Sequence, residues 1–173
     1  MALWKRTFPV RAPSSFVFDW MTTPAPTDTA FTPGLAAREI KEQWKLQWET
    51  RDQGTIAGRR YTSKAVLRKY PTRRWRLEEE ADAFYHRTEF SLSDTPEGCD
   101  MTMEMEVIVR GALKLREKSF TEKVHADFEA RMRAWVAKME EEAHAGAAPQ
   151  AAGTGEAFDK KQAPRDIPRQ YGS

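Results

Sequence analysis

Cysteine occurs once in this chain, at Cys99, so no disulfide can close within it. Histidine occurs three times, at His86, His125 and His144, and these residues form no Cys/His cluster with metal-ligand spacing. There is no Gly-x-Gly-x-x-Gly, no phosphate-binding loop and no Ser/His/Asp arrangement that could be nominated as a nucleophile. No metal, no cofactor and no assigned catalytic residue are therefore expected. Long apolar runs are also missing. A membrane-spanning helix needs about 20 residues of that kind, so no transmembrane segment is expected. The opening Met-Ala-Leu-Trp-Lys-Arg lacks the apolar core and cleavage site of a signal peptide. A cytoplasmic location is the default expectation, and sparse cysteine fits it. Nor is there an excess of one charge. Lys and Arg number 28 against 26 Asp and Glu, with the signs mixed along the chain. Such a surface offers no strong field for nucleic acid.

What is present is a core. Of the 173 residues, 40% are hydrophobic and 11% aromatic, enough for one domain to fold without staples. Trp4, Phe8 and Val10 recur at even spacing, as in a strand. Ala12-Pro13-Ser14-Ser15 opens a helix whose apolar side is Phe16, Val17, Trp20 and Met21, and Pro24 and Pro26 stop it. A second short helix is expected around Asp28 to Phe31.

From about residue 36 to residue 110 the period is two. Ile40, Trp44, Leu46 and Trp48 alternate with polar residues, and Asp52-Gln53-Gly54 reads as a hairpin signal. A run from Thr55 to Tyr70 follows, then a turn at Pro71-Thr72-Arg73. Trp75 and Leu77 start the next run, Asp82 marks a turn, and Phe84, His86, Thr88, Phe90 and Leu92 share a face after it. In the last run Met101, Met103, Met105, Val107 and Val109 all lie on one side. Short turns between the runs imply an antiparallel meander. After Gly111 the period becomes helical, with Phe120, Val124, Phe128, Met132, Trp135, Val136 and Met139 on one stripe and Gly146 as the expected stop. Residues 1 to 145 form the expected domain. Residues 146 to 173, poor in apolar anchors and punctuated by proline, read as a disordered tail.

This order predicts an α+β, two-layer fold. A curved antiparallel sheet of about seven strands wraps around a long C-terminal helix, with one or two short helices after the first strand. Strong curvature tends to leave a gap between sheet and helix, and that gap is the natural ligand site. The opening Phe8-Pro9-Val10-Arg11-Ala12-Pro13-Ser14-Ser15-Phe16-Val17-Phe18-Asp19-Trp20-Met21 resembles that of the START-like (SRPBCC) superfamily of polyketide cyclases and dehydrases and lipid-transfer domains. Tyr70-Pro71-Thr72-Arg73-Arg74-Trp75 and the Phe90 to Thr102 hairpin are similar to junctions in that family, although Glu97-Gly98-Cys99 departs from its usual Gly-Gly-Thr. The resemblance spans about residues 2 to 143, because the element order carries it more than any one motif. It implies a helix-grip fold and a hydrophobic small-molecule ligand, such as a lipid, isoprenoid or polyketide-like compound. The protein would act as carrier or sensor. A cyclase- or dehydratase-like enzyme and a protein-interaction module are the alternatives.

The candidate cavity lining comprises the aromatic residues Trp44, Trp48, Trp75, Phe84 and Phe90, together with His86. Met101, Met103 and Met105 form a pliable thioether row, faced by Phe128, Met132 and Trp135 of the helix. Each has a plainer reading as core filler. Glu79 would be buried, and would need Arg60 or another cation, if it followed Trp75 and Leu77 inward. The plainer expectation is that the strand ends near Glu78 and that Glu78, Glu79 and Glu80 are all solvated. Arg59-Arg60, Arg68-Lys69 and Arg73-Arg74 make local basic clusters. They could suit a nucleic acid or an anionic lipid, but the neighbouring acidic residues favour ordinary outer-face charge.

Overall fold

The structure is a computed structural model that describes residues 3–147. The expected tail lies outside these residues from position 148 onward. Seven strands form one antiparallel sheet: β1 (Trp4–Val10), β2 (Leu35–Gln43), β3 (Gln47–Ile56), β4 (Arg59–Tyr70), β5 (Arg74–Ala81), β6 (Phe84–Thr95) and β7 (Gly98–Val109). Their spatial order is β1-β7-β6-β5-β4-β3-β2. The chain returns only once, when β1 pairs with β7, with Trp4 opposite Met105 and Val10 opposite Cys99. Helix α1 (Ser14–Met21) and a 3-10 turn at Pro26–Ala30 bridge β1 to β2. A second 3-10 turn, Gly111–Arg116, leads into helix α2 (Glu117–Ala147). Helix α2 is about 46 Å long at 1.5 Å per residue. Gly146 does not stop it, because it remains helical through Ala147.

Alternation decides which face of the sheet is inside. Along β7 every second residue from Cys99 to Val109 is buried. The helical stripe meets this face: Phe120, Val124, Phe128, Met132 and Met139 are buried in the same core as the β7 methionines. Side-chain bonds along α2 tie it to the rest of the domain. Asp127 accepts the Ala57 N–H at 2.6 Å, and Glu142 accepts the Trp20 indole N–H at 2.5 Å.

The first hairpin is not where Asp52-Gln53-Gly54 placed it. Residues 52–54 lie inside β3, and the real turns fall at 44–46 and at Ala57-Gly58. Ala57 and Gly58 both have positive φ, 50° and 74°, as a tight two-residue hairpin requires. Gly54 serves close approach instead. A Cβ there would sit 1.9 Å from the Gly34 carbonyl oxygen, which accepts the Thr55 N–H at 2.7 Å. Gly54→Ala is accordingly expected to cost about 2 kcal/mol by forcing these two backbones apart. Urea unfolding checks this, and an unchanged midpoint would show that the contact is not tight.

Candidate functional site

Between the inner face of the sheet and the α1 side of the molecule lies one small pocket of about 40 Å³. Trp75 and Phe90, stacked at 4.9 Å, form part of its lining, with Leu67, Leu77, Trp20, Met21 and Trp135 around them. Such a lining of apolar and aromatic groups with a few polar ones is the usual composition of a small-molecule site. Its volume is not. Ordinary ligand pockets hold about 300–1,000 Å³, so most of the gap expected from curvature is filled. Trp48, Phe84, Phe128, Met101, Met103, Met105 and Met132 are all at most 3% exposed and occupy that space. A broader hollow of about 720 Å³ lies at the Ala57-Gly58 end, lined by polar residues such as Arg59, Arg60, Thr62 and Asp82, and is open to solvent.

Three of the twelve sequence candidates therefore border the pocket: Trp75, Phe90 and Trp135. Trp48, Phe84, His86, Phe128, Met132 and the β7 methionines are buried in the core beyond it. Trp44 is a correction. It is 47% exposed, because the β2–β3 chain reverses at this residue instead of running straight through it.

The pocket also has a polar side, which the spacing of apolar residues does not predict. Arg38 of β2 reaches Asp52 with two parallel bonds, Nε at 3.0 Å and Nη2 at 2.6 Å. Its Nη1 donates to Asp28 at 2.7 Å. Asp28 also accepts the Ala25 N–H at 3.0 Å, which fixes the 3-10 turn to the sheet. The Asp28 and Asp52 side chains are 2% and 4% exposed. Burial opposes the Arg38 charge, yet Asp52 first and Asp28 next hold it protonated above its usual range. The available signal was parity: Arg38 stands two residues from Ile40, on the face that should be apolar. Asp52, followed by Gln53 and Gly54, reads instead as part of a turn.

Deeper in, Glu79 does point inward and is 3% exposed, which overturns the solvated reading. Its partner is His86, directly opposite on β6, with Nε2 at 2.7 Å from Oε2. Ser63 donates to Oε1 at 2.5 Å. Arg60 is exposed on the outer face and is not that partner. Burial pushes the Glu79 carboxyl up, but bonds and charge from His86, the Arg131 charge and the Ser63 hydroxyl outweigh it and bring it down to about 2. Thr88 lies 3.2 Å from His86 Nδ1, so its hydroxyl donates there when Nε2 carries the proton toward Glu79. Both ring nitrogens are thus engaged. Arg131 of α2, 5% exposed, donates to the Tyr61 hydroxyl at 3.1 Å and to the Pro33 carbonyl at 2.9 Å. Burial and the Glu79 charge push the Tyr61 hydroxyl up to about 12 despite that arginine. Among the described residues no group of His, Cys, Asp and Glu could hold a metal ion, and no helix is long and apolar enough to cross a membrane.

No protein-family model matches the chain, and no curated protein matches it in sequence. Solved structures do match in shape. The Zhui aromatase/cyclase of a Streptomyces species superposes with a TM-score of 0.72 at 15% identity, over 80% of this chain and 93% of that one. A START superfamily protein from Mycobacterium smegmatis gives 0.64 at 14% identity, over 80% and 97%. A STAR-related lipid transfer protein fragment from Xanthomonas axonopodis gives 0.56 at 13%, over 79% and 85%. With the strand order, the bridging α1 and the long α2 packed against the sheet, these likenesses establish that the chain adopts the START-like (SRPBCC) helix-grip fold.

Proposed function

We propose that this protein holds a hydrophobic small molecule between its sheet and its C-terminal helix, as a cytoplasmic carrier or sensor. The observation that carries this reading is the aromatic pocket with a single polar wall. Trp20, Trp75, Phe90 and Trp135 offer flat apolar surface, and the Arg38–Asp28 pair borders the same space. The solved structures of similar shape include an aromatase/cyclase and a lipid transfer protein, which support an apolar ligand class without naming the ligand. At about 40 Å³ the pocket must widen to take such a ligand. Met21, an unbranched side chain on its wall, is suited to give way.

A cyclase-like enzyme has less support. Glu79 and His86 do converge inside the fold, but His86 is fully buried, both of its nitrogens are bonded, and neither residue borders the pocket.

Native mass spectrometry of the purified chain tests the proposal through a co-purified apolar compound. The fluorescent probe 1-anilinonaphthalene-8-sulfonate provides a second readout. Ala65→Phe places a ring inside the pocket wall and is expected to reduce probe binding at least tenfold while the protein stays folded. Probe binding unchanged by Ala65→Phe, together with no co-purified compound, would leave a filled core with no ligand.

A further inference from the structure

We infer that the tip formed by the β2–β3 hairpin and the β4–β5 turn docks onto an anionic lipid surface. Strand order brings these two loops to the same end of the sheet, and the Lys69 N–H donates to the Leu46 carbonyl at 2.8 Å, so they form one unit. Trp44 and Leu46 stand 47% and 56% exposed on it, two of the four large exposed hydrophobic side chains among the described residues. Neither residue is needed for chain reversal, which Gly, Asn or Asp would serve better. The cations are as informative. Residues 44–47 and 68–74 carry Lys45, Arg68, Lys69, Arg73 and Arg74 and no carboxylate.

The exposed cations of this tip are Lys45, Arg68, Arg73 and Arg74. Arg73 pairs with Asp94 at 3.1 Å. Glu49, on the flank, is taken by Lys64 at 3.2 Å, and Glu42 lies exposed beside the hairpin. The chemistry that uses an exposed Trp, a Leu and clustered Lys and Arg together is the boundary of a negatively charged bilayer. An indole sits at headgroup depth, an aliphatic chain enters the acyl region, and the cations meet anionic headgroups. A nucleic acid would use the cations and the indole but has no place for the leucine. Docking here also places a membrane beside the pocket, since Leu67 and Trp75 of its lining are two residues from Lys69 and directly opposite it, respectively. It does not require that the pocket hold a ligand.

Co-sedimentation of the full chain with vesicles tests this. The protein is expected to bind phosphatidylcholine vesicles containing an equal amount of phosphatidylglycerol, not phosphatidylcholine alone, and less so as salt rises. Trp44→Ala with Leu46→Ala, and separately Lys45→Glu with Arg74→Glu, are each expected to weaken binding about tenfold or more. Circular dichroism should show both variants folded, since all four side chains are exposed. Leu115, 93% exposed after β7 at the opposite end of the sheet, is the control, and Leu115→Ala should bind as the parent does. The inference is overturned if the parent ignores anionic vesicles, if the Trp44/Leu46 variant binds unchanged, or if Leu115→Ala loses as much. It is likewise overturned if single-stranded oligonucleotide binds instead and only the charge-reversal variant releases it.

Discussion

Replacing Arg38 by methionine is expected to cost about 3–5 kcal/mol of folding stability, the largest effect of any single change proposed for this chain. The side chain that is lost is half of a buried ion network, not a surface charge. Asp28 and Asp52 would stay where β3 and the 3-10 turn put them, at 2% and 4% exposure, without this cation. Removing one partner is costly because a carboxylate in an apolar wall keeps its desolvation penalty and loses its Coulombic compensation. Arg38→Lys should fall between the two. It keeps the charge but cannot reproduce the two parallel bonds to Asp52. Urea unfolding at neutral pH gives the size of the effect. A cost below about 1 kcal/mol is what exposed pairs show, and it would mean that this network is solvated.

The second large effect concerns acid. Glu79 is held at about 2 against an ordinary value of 4.5. In the folded protein this carboxyl binds a proton less readily than in the unfolded chain. Its contribution is therefore fully present above pH 4.5 and is lost as pH falls from there through about 2. A shift of that size corresponds to up to about 3 kcal/mol. Glu79→Gln should be less stable at neutral pH, because the amide carries no charge to set against Arg131. It should also lose stability less steeply than the parent between pH 4.5 and about 2. Unfolding midpoints measured across that window make the comparison. Parallel profiles for the two proteins would show that Glu79 is not held by the His86 and Ser63 contacts.

Local pattern carried much of the fold. The alternation from Met101 to Val109 determines which face of β7 is buried, because successive side chains of a strand must point to opposite sides. The stripe from Phe120 to Met139 fixes the buried face of α2 by the same kind of geometry. Pattern failed where a residue type has two uses. Asp52 and Gly54 read as a turn because turns favour both residues. The structure uses Asp52 as a buried acceptor and Gly54 as a gap for another stretch of backbone. The spacing of Trp44 continues that of Ile40 and so predicts an inward side chain, and no turn residue announces the reversal that carries it out.

The candidate site was legible only in part, for a related reason. Sequence spacing says that Glu79 shares a face with Trp75 and Leu77, but not that β5 runs far enough for this to matter. It also gives no register, and register alone sets His86 across from Glu79 while Arg60 faces out. Trp75 and Phe90 meet for the same reason, paired across β5 and β6.

By itself the sequence determined the strand and helix periods, the order of elements and the composition of the apolar face, since these depend on bonds and side chains a few residues apart. Tertiary structure decided which buried charges face one another and how much space remains between sheet and helix. Those depend on strand register and on how large side chains from distant segments interlock, neither of which is encoded within any single stretch of chain.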